Sequence, residues 1–188
     1  MAGDKPVREA IALVETISVA IGVRIADEMA KTAPIEVLEA TPICPGKYMV
    51  LVAGDVASVE ASLKRGIEVG ESVVVDTLFI PNVHPQVFPA VLAATGVESL
   101  DALGVLETFT VASTILAADT AAKTAPVRLI EIRLAKGLGG KAYFTMTGAV
   151  YDVEAAMDAA LAVVKSGGNL VRSVVIPRPH EALNPKVL

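Results

Sequence analysis

The sequence predicts an α/β protein (α+β, ferredoxin-like) built twice over, and three observations carry that prediction. The first is length: 188 residues suffice for one ordinary domain or two small ones. Domains of the smaller size are marginal unless they bury surface against neighbours. The second is composition, with 53% hydrophobic residues against only 4% aromatics and no Trp. Apolar content made of Ala, Val, Leu and Ile suits closely packed helices and sheets, and mutual packing is its natural outlet.

The third is an internal repeat. A shift of 92 positions sets Leu13 to Glu39 against Val105 to Glu131 with twelve identities in twenty-seven pairs, where typical residue frequencies would give about two. Shared residues include Glu15 and Glu107, Thr16 and Thr108, Asp27 and Asp119, and the blocks Lys31-Thr32-Ala33-Pro34 and Lys123-Thr124-Ala125-Pro126. A shift of 94 then pairs Lys47, Gly54, Val59 and Glu60 with Lys141, Gly148, Val153 and Glu154. A shift of 96 pairs Ile80-Pro81 and His84 with Ile176-Pro177 and His180, and Leu92 with Leu188. The expected domains are residues 1–96 and 97–188, joined through Thr95 to Ser99.

Each copy reads in the same order. Ala10 to Glu15 is a short apolar strand, followed by a helix from Ser18 to Ala33 with Ser18 as its cap. Val19, Val23, Ala26 and Ala30 form an apolar stripe at helical spacing, and Pro34 stops the helix. Ile35 to Thr41 and Lys47 to Ala53 read as strands joined by the tight segment Pro42-Ile43-Cys44-Pro45-Gly46. Asp55 caps a second helix, with Val56, Val59, Leu63 and Ile67 along one side and Glu60, Lys64 and Glu68 outward. Ser72 to Ile80 closes the unit as a strand, and a short helical tail runs to Leu92.

Several functions are excluded or disfavoured. The net charge of -5 and the absence of basic runs interleaved with aromatics leave no footprint for nucleic acid. The uncharged stretch Thr77 to Val97 is broken by Pro81, Pro85 and Pro89 and carries Asn82, His84 and Gln86, so it reads as strand, turn and short helix, not a membrane span. Met1 to Arg8 is polar and has no apolar signal core, so the protein is expected in the cytosol. The single cysteine, Cys44, excludes a disulfide within the chain and leaves a thiol free for other chemistry.

No catalytic constellation emerges, and the expectation is no enzyme. His84 and His180 recur at matching positions after Ile-Pro, which argues for a shared structural duty, with no nucleophile at a recognisable spacing. Glu15 and Glu107 are expected to tie backbone amides or interface groups, and Asp27 and Asp119 to face solvent or a subunit contact. Gly137-Leu138-Gly139-Gly140-Lys141 lacks the full Walker spacing and the following Ser or Thr, so turn geometry explains it.

Two tandem copies of strand, helix, strand, loop, strand, helix, strand resemble the bacterial microcompartment shell proteins, in particular the tandem-domain class that closes as trimers mimicking a hexagon. The carriers are Leu13-Val14-Glu15-Thr16, the helices ending at Lys31 and Lys123, Gly54-Asp55-Val56 and Pro177-Arg178-Pro179-His180. The resemblance implies a homotrimeric, pseudohexameric tile of a microcompartment shell in the cytoplasm, partnered by other shell proteins. It places Lys31, Lys123 and Arg178 on the tile edge; Asn82 stands where the first copy would carry the Arg, so the edges should alternate.

Within that class the sequence is most similar to the iron-sulfur type of propanediol-utilisation shells, through Ile43-Cys44-Pro45-Gly46-Lys47, Ile80-Pro81-Asn82-Val83-His84 and the Gly137 to Lys141 loop. That resemblance implies a pore loop of Ile43, Cys44, Pro45 and Gly46, with Cys44 as metal ligand and cofactor-binding residue for a [4Fe-4S] cluster shared by three subunits. A loop residue facing a threefold axis is presented three times, so one cysteine becomes three ligands. A cubane cluster normally takes four thiolates, which leaves one iron to water, a small ligand or a partner protein. Pro42 and Pro45 would stiffen the loop, Gly46 would let backbone amides approach sulfur, and Lys47 would bring a positive charge close by. Electron transfer across the shell, with an encapsulated or cytosolic redox enzyme as partner, is the function this implies. The alternatives are zinc on the same thiolates, or a cofactor-free tile whose pore passes small metabolites.

Overall fold

The computed structural model describes residues 8–183. The chain divides between Val83 and His84 into two compact units. In the first unit, β1 (Ala10–Thr16) leads to α1 (Val19–Thr32), the hairpin β2 (Glu36–Ile43) and β3 (Lys47–Gly54), α2 (Val56–Gly70), and β4 (Val74–Ile80). The sheet order is β2-β3-β1-β4 with every neighbouring pair antiparallel, the ferredoxin-like arrangement expected of this element order.

The second unit opens with α3 (Val87–Val91) and then repeats the plan: β5 (Ala102–Thr108), α4 (Val111–Thr124), β6 (Arg128–Arg133), β7 (Ala142–Gly148), α5 (Val150–Lys165) and β8 (Leu170–Ile176). Its sheet order, β6-β7-β5-β8, is the same. Residues 84–92, which end the first repeat in sequence terms, thus belong to the second unit.

Local chemistry explains the element ends. The Ser18 hydroxyl accepts the Ile21 N–H at 3.3 Å and starts α1, while Asp55 Oδ1 accepts the Ser58 N–H at 2.9 Å and starts α2. Pro34 follows the C-cap of α1, where a helix cannot continue. β2 runs two residues further than the spacing suggested, through Ile43, so Pro42 lies within it. β2 is an edge strand, where a residue with no N–H is tolerated.

The core of the first unit lies between its sheet and its two helices: Ala12, Val14, Val50 and Val52 from β1 and β3 meet Ile25, Met29, Val59 and Leu63. The face of α1 turned inward is therefore Gly22, Ile25 and Met29. The stripe read from the sequence, Val19, Val23, Ala26 and Ala30, is the other side of that helix, with Val19, Val23 and Ala30 exposed. Periodicity identifies an apolar stripe but not what it faces, and α1 carries two.

Candidate functional site

The β2–β3 hairpin turns on three residues, Cys44-Pro45-Gly46, after Ile43 pairs with Lys47. Gly46 sits at φ 71°, the left-handed region that suits glycine, and the direction its side chain would take is open space. Cys44 is partly exposed and its thiol is free. Ile43 is buried beneath the turn and anchors it to the unit. The predicted loop residues Cys44, Pro45 and Gly46 are therefore brought together at one hairpin tip, with Pro42 and Ile43 in the strand that leads to it.

A charged pair supports that tip. Lys47, the first residue of β3, donates from Nζ to Glu15 Oε1 at 2.6 Å, and Glu15 lies near the end of β1 that adjoins the hairpin. Glu15 is 2% exposed, and its Oε2 is buried without a hydrogen-bond partner. The positive charge expected near the thiol is thus already held by a carboxylate. The second copy repeats the pair, Lys141 donating to Glu107 at 2.6 Å, but both partners are more exposed. Glu15 and Glu107 each bind a lysine of their own unit, where backbone amides or interface groups were the expected partners. The signal was present, because Lys47 and Lys141 recur in the same repeat as the two glutamates, but a strand partner is fixed only by register.

The corresponding hairpin of the second unit is built differently. Residues 134–141 span β6 to β7, with positive φ at Ala135, Gly137, Gly139 and Gly140, and the Lys141 N–H donates to the Leu138 carbonyl at 3.2 Å. The glycines serve turn geometry, as their spacing indicated. No thiol is present there.

Lys31 and Lys123 end their helices as expected, each held by the Asp one turn earlier: Lys31 by Asp27, and Lys123 by Asp119 at 2.6 Å. The two Asp residues differ. Asp27 is exposed, whereas Asp119 is buried and its Oδ1 also accepts the His84 N–H at 2.7 Å. Arg178 is exposed beyond β8 and Asn82 is exposed at the matching place beyond β4. The two histidines do share a local duty: His84 Nδ1 accepts the Gln86 N–H at 3.4 Å and His180 Nδ1 accepts the Ala182 N–H at 3.2 Å.

Among the described residues no group of three or more His, Cys, Asp or Glu is placed to hold a metal ion. No helix there is long and apolar enough to cross a membrane. Among the described residues the hairpin tip thus offers one partly exposed thiol, with no cluster of further ligands to complete a metal shell. A cluster fits these residues only where several copies of Cys44 converge.

Comparison with known proteins places this architecture. The BMC domain family matches residues 10–83 and again residues 102–179. The bacterial microcompartment shell protein PduT of Citrobacter freundii is 38% identical over 175 residues, 93% of this chain and 95% of that protein. The shell protein EutM of Salmonella typhimurium, 39% identical over 82 residues, covers 43% of this chain with 82% of its own length, one repeat's worth. A microcompartment protein from Desulfitobacterium hafniense, of known crystal structure, superimposes with a TM-score of 0.90 at 49% identity, covering 94% of this chain and 98% of its own. The fused permuted hexameric shell protein MSM0275 of the RMM microcompartment shares the fold at a TM-score of 0.63 and 19% identity. With both repeats matched by the family and the pairing extending over nearly the whole length, the chain belongs to the bacterial microcompartment shell proteins and carries two tandem BMC domains.

Proposed function

We propose that this chain closes as a homotrimer whose three Cys44 hairpins meet around the threefold axis and hold one [4Fe-4S] cluster. As a family member it is a structural component of a microcompartment shell in the cytoplasm, not an enzyme, and it assembles with other shell proteins. The observation that carries the sharper reading is the position of the lone cysteine: a free, accessible thiol on a three-residue turn, in the one hairpin of the pair that is short. Three such turns around an axis present three thiolates at the same height, and the absence of a side chain on Gly46 leaves room beside the sulfur.

When bound, the cluster would supply one-electron exchange across the shell, with its fourth iron open to water, a small ligand or a docking redox protein. The chain's own part is to hold the thiolates. Ile43 buries the root of the turn and the Glu15–Lys47 pair anchors the start of β3, so the thiol-bearing tip stands on a fixed base.

Anaerobic purification should give brown trimers with about four irons per three chains. Cys44→Ser should abolish colour and iron while native mass stays trimeric. Colourless, iron-free trimers of the parent under those conditions would defeat the cluster and leave the ring of hairpins as an opening for small polar metabolites.

A further inference from the structure

The sheet face turned away from the helices carries three charged positions at the hairpin end of each unit. In the first unit they are Glu15 on β1, its cross-strand neighbour Asp76 on β4, and Lys47, which starts β3 two residues before Met49, the other neighbour of Glu15. Side chains alternate along a strand, so all three stand on one face. The helices pack on the alternate positions, Val14 and Val50 among them.

The second unit keeps these places and changes their charges. Glu107 and Lys141 repeat the ion pair, but the residue cross-strand from Glu107 on β8 is Arg172. Two carboxylates and one ammonium leave the first unit with one negative charge at the three positions. One carboxylate and two cations leave the second with one positive charge.

The negative set is the costly one. Like charges facing each other across a strand pair are destabilising, and so is a buried carboxylate with an oxygen left unpaired. Glu15 is buried with its Oε2 bare, and half-buried Asp76 stands beside it, its Oδ1 accepting the Thr77 N–H at 2.9 Å. An unsatisfied buried group of this kind calls for a functional reason, since a cation opposite the glutamate is what the other copy uses. What sets the first unit apart is its thiol: Lys47 pairs with Ile43, the residue before Cys44.

We infer that Glu15 and Asp76 set the redox poise of the cluster held at Cys44. Their net negative charge beneath the hairpin holds the bound cluster toward its oxidised form, with Lys47 offsetting one of the two carboxylates. This rests on the cluster reading above and names the residues that fix its potential. Reduction brings in one electron from the redox protein of that reading, with no proton or ligand exchanged, and the added negative charge is opposed by the field of the carboxylates. Burial keeps salt from screening the Glu15 charge as it would an exposed one. Around a threefold axis each substitution changes three charges about one cluster.

The test titrates the anaerobically purified trimer with dithionite and mediator dyes of known potential, following visible absorption. Asp76→Asn should leave iron content at the parent level and raise the reduced-to-oxidised ratio at a fixed potential about tenfold, which is about 59 mV for one electron. Asp76→Arg, which copies the second unit, should raise it further, and Glu15→Gln should act in the same direction. Arg172→Gln in the second unit should lower the ratio by less than about threefold. Iron-loaded Asp76→Asn and Asp76→Arg trimers that titrate like the parent would overturn this assignment and leave the cluster standing. A shift from Arg172→Gln as large as that from Asp76→Asn would overturn it too, because the charge of the whole tile would then be responsible. Iron-free parent trimers would overturn both readings together.

Discussion

The two repeats build one fold with opposite choices of side-chain volume. In the first unit Ile25 and Met29 of α1 press on glycines of α2: a Cβ on Gly66 would lie 2.8 Å from the Met29 sulfur, and one on Gly70 would lie 2.9 Å from Ile25 Cδ1. At the same positions the second unit has Ala117 and Ala121 on α4 and Ala160 and Val164 on α5. Beneath α1, Gly22 makes room for Tyr48, since a Cβ there would run into that ring; the second unit has Thr114 and Ala142 there. The trade also runs the other way across the strands. Gly104 is cross-strand from Met146 where Ala12 is cross-strand from Val52. At these positions a large residue in one core stands against a small partner, and the two copies place the large and small partners differently, as close packing permits.

The largest expected difference concerns charge. Glu15 is buried and Glu107 is not, so removing the lysine partner should be costly in one copy and nearly silent in the other. Lys47→Met should destabilise the first unit by about 3–5 kcal/mol because it strands a buried carboxylate. Lys141→Met should cost below about 1 kcal/mol. Urea midpoints resolved by unit-specific amide exchange would check this; equal losses would mean that burial does not separate the two pairs.

Core volume comes next. Ile25→Ala should cost about 2–5 kcal/mol through the cavity it leaves. Gly70→Val should cost about 1–3 kcal/mol, since its side chain would also meet Val74. Together they reproduce the second unit's pair, so the double variant should lose at least about 0.5 kcal/mol less than the sum. Strict additivity would show that the compensation lies elsewhere.

The smallest effects lie at the caps. Asp55 caps α2, but the matching cap of α5 is Ala149, with no side-chain bond and a similar extended backbone. Ala149→Asp should stabilise the second unit by about 0.5–2 kcal/mol, read as a raised urea midpoint. The hydrogen bonds from Ser58 hold the Asp55 carboxyl below its ordinary value, as the Arg8 guanidinium does for Glu36 and the Arg65 guanidinium for Glu28. Carboxyls lowered in the folded state stabilise it above the usual carboxylate range, and that contribution fades as pH falls through the folded value. Amide protection in the first unit should therefore fall in acid, from about pH 4 downward, and Glu36→Gln should flatten the decline.

The repeat, the order of elements, the caps at Ser18 and Asp55 and the hairpin bearing Cys44 were all legible in the residues, because each is a local choice of backbone propensity, turn chemistry or apolar period. Three things were not. The side of α1 that enters the core is not set by apolar period, because the outer stripe of Val19 and Val23 is as apolar as the inner one of Gly22, Ile25 and Met29. The partners of Glu15 and Glu107 depend on which strand ends lie side by side. The grouping of residues 84–92 with the second unit follows from Gln86 and His84 finding β6 and α4, contacts far away in sequence. Local sequence sets what each segment becomes, since its own backbone and neighbouring side chains decide that. Which face is covered and which charge is paired are decided only when distant segments compete for the same apolar surface, and that competition is settled in three dimensions.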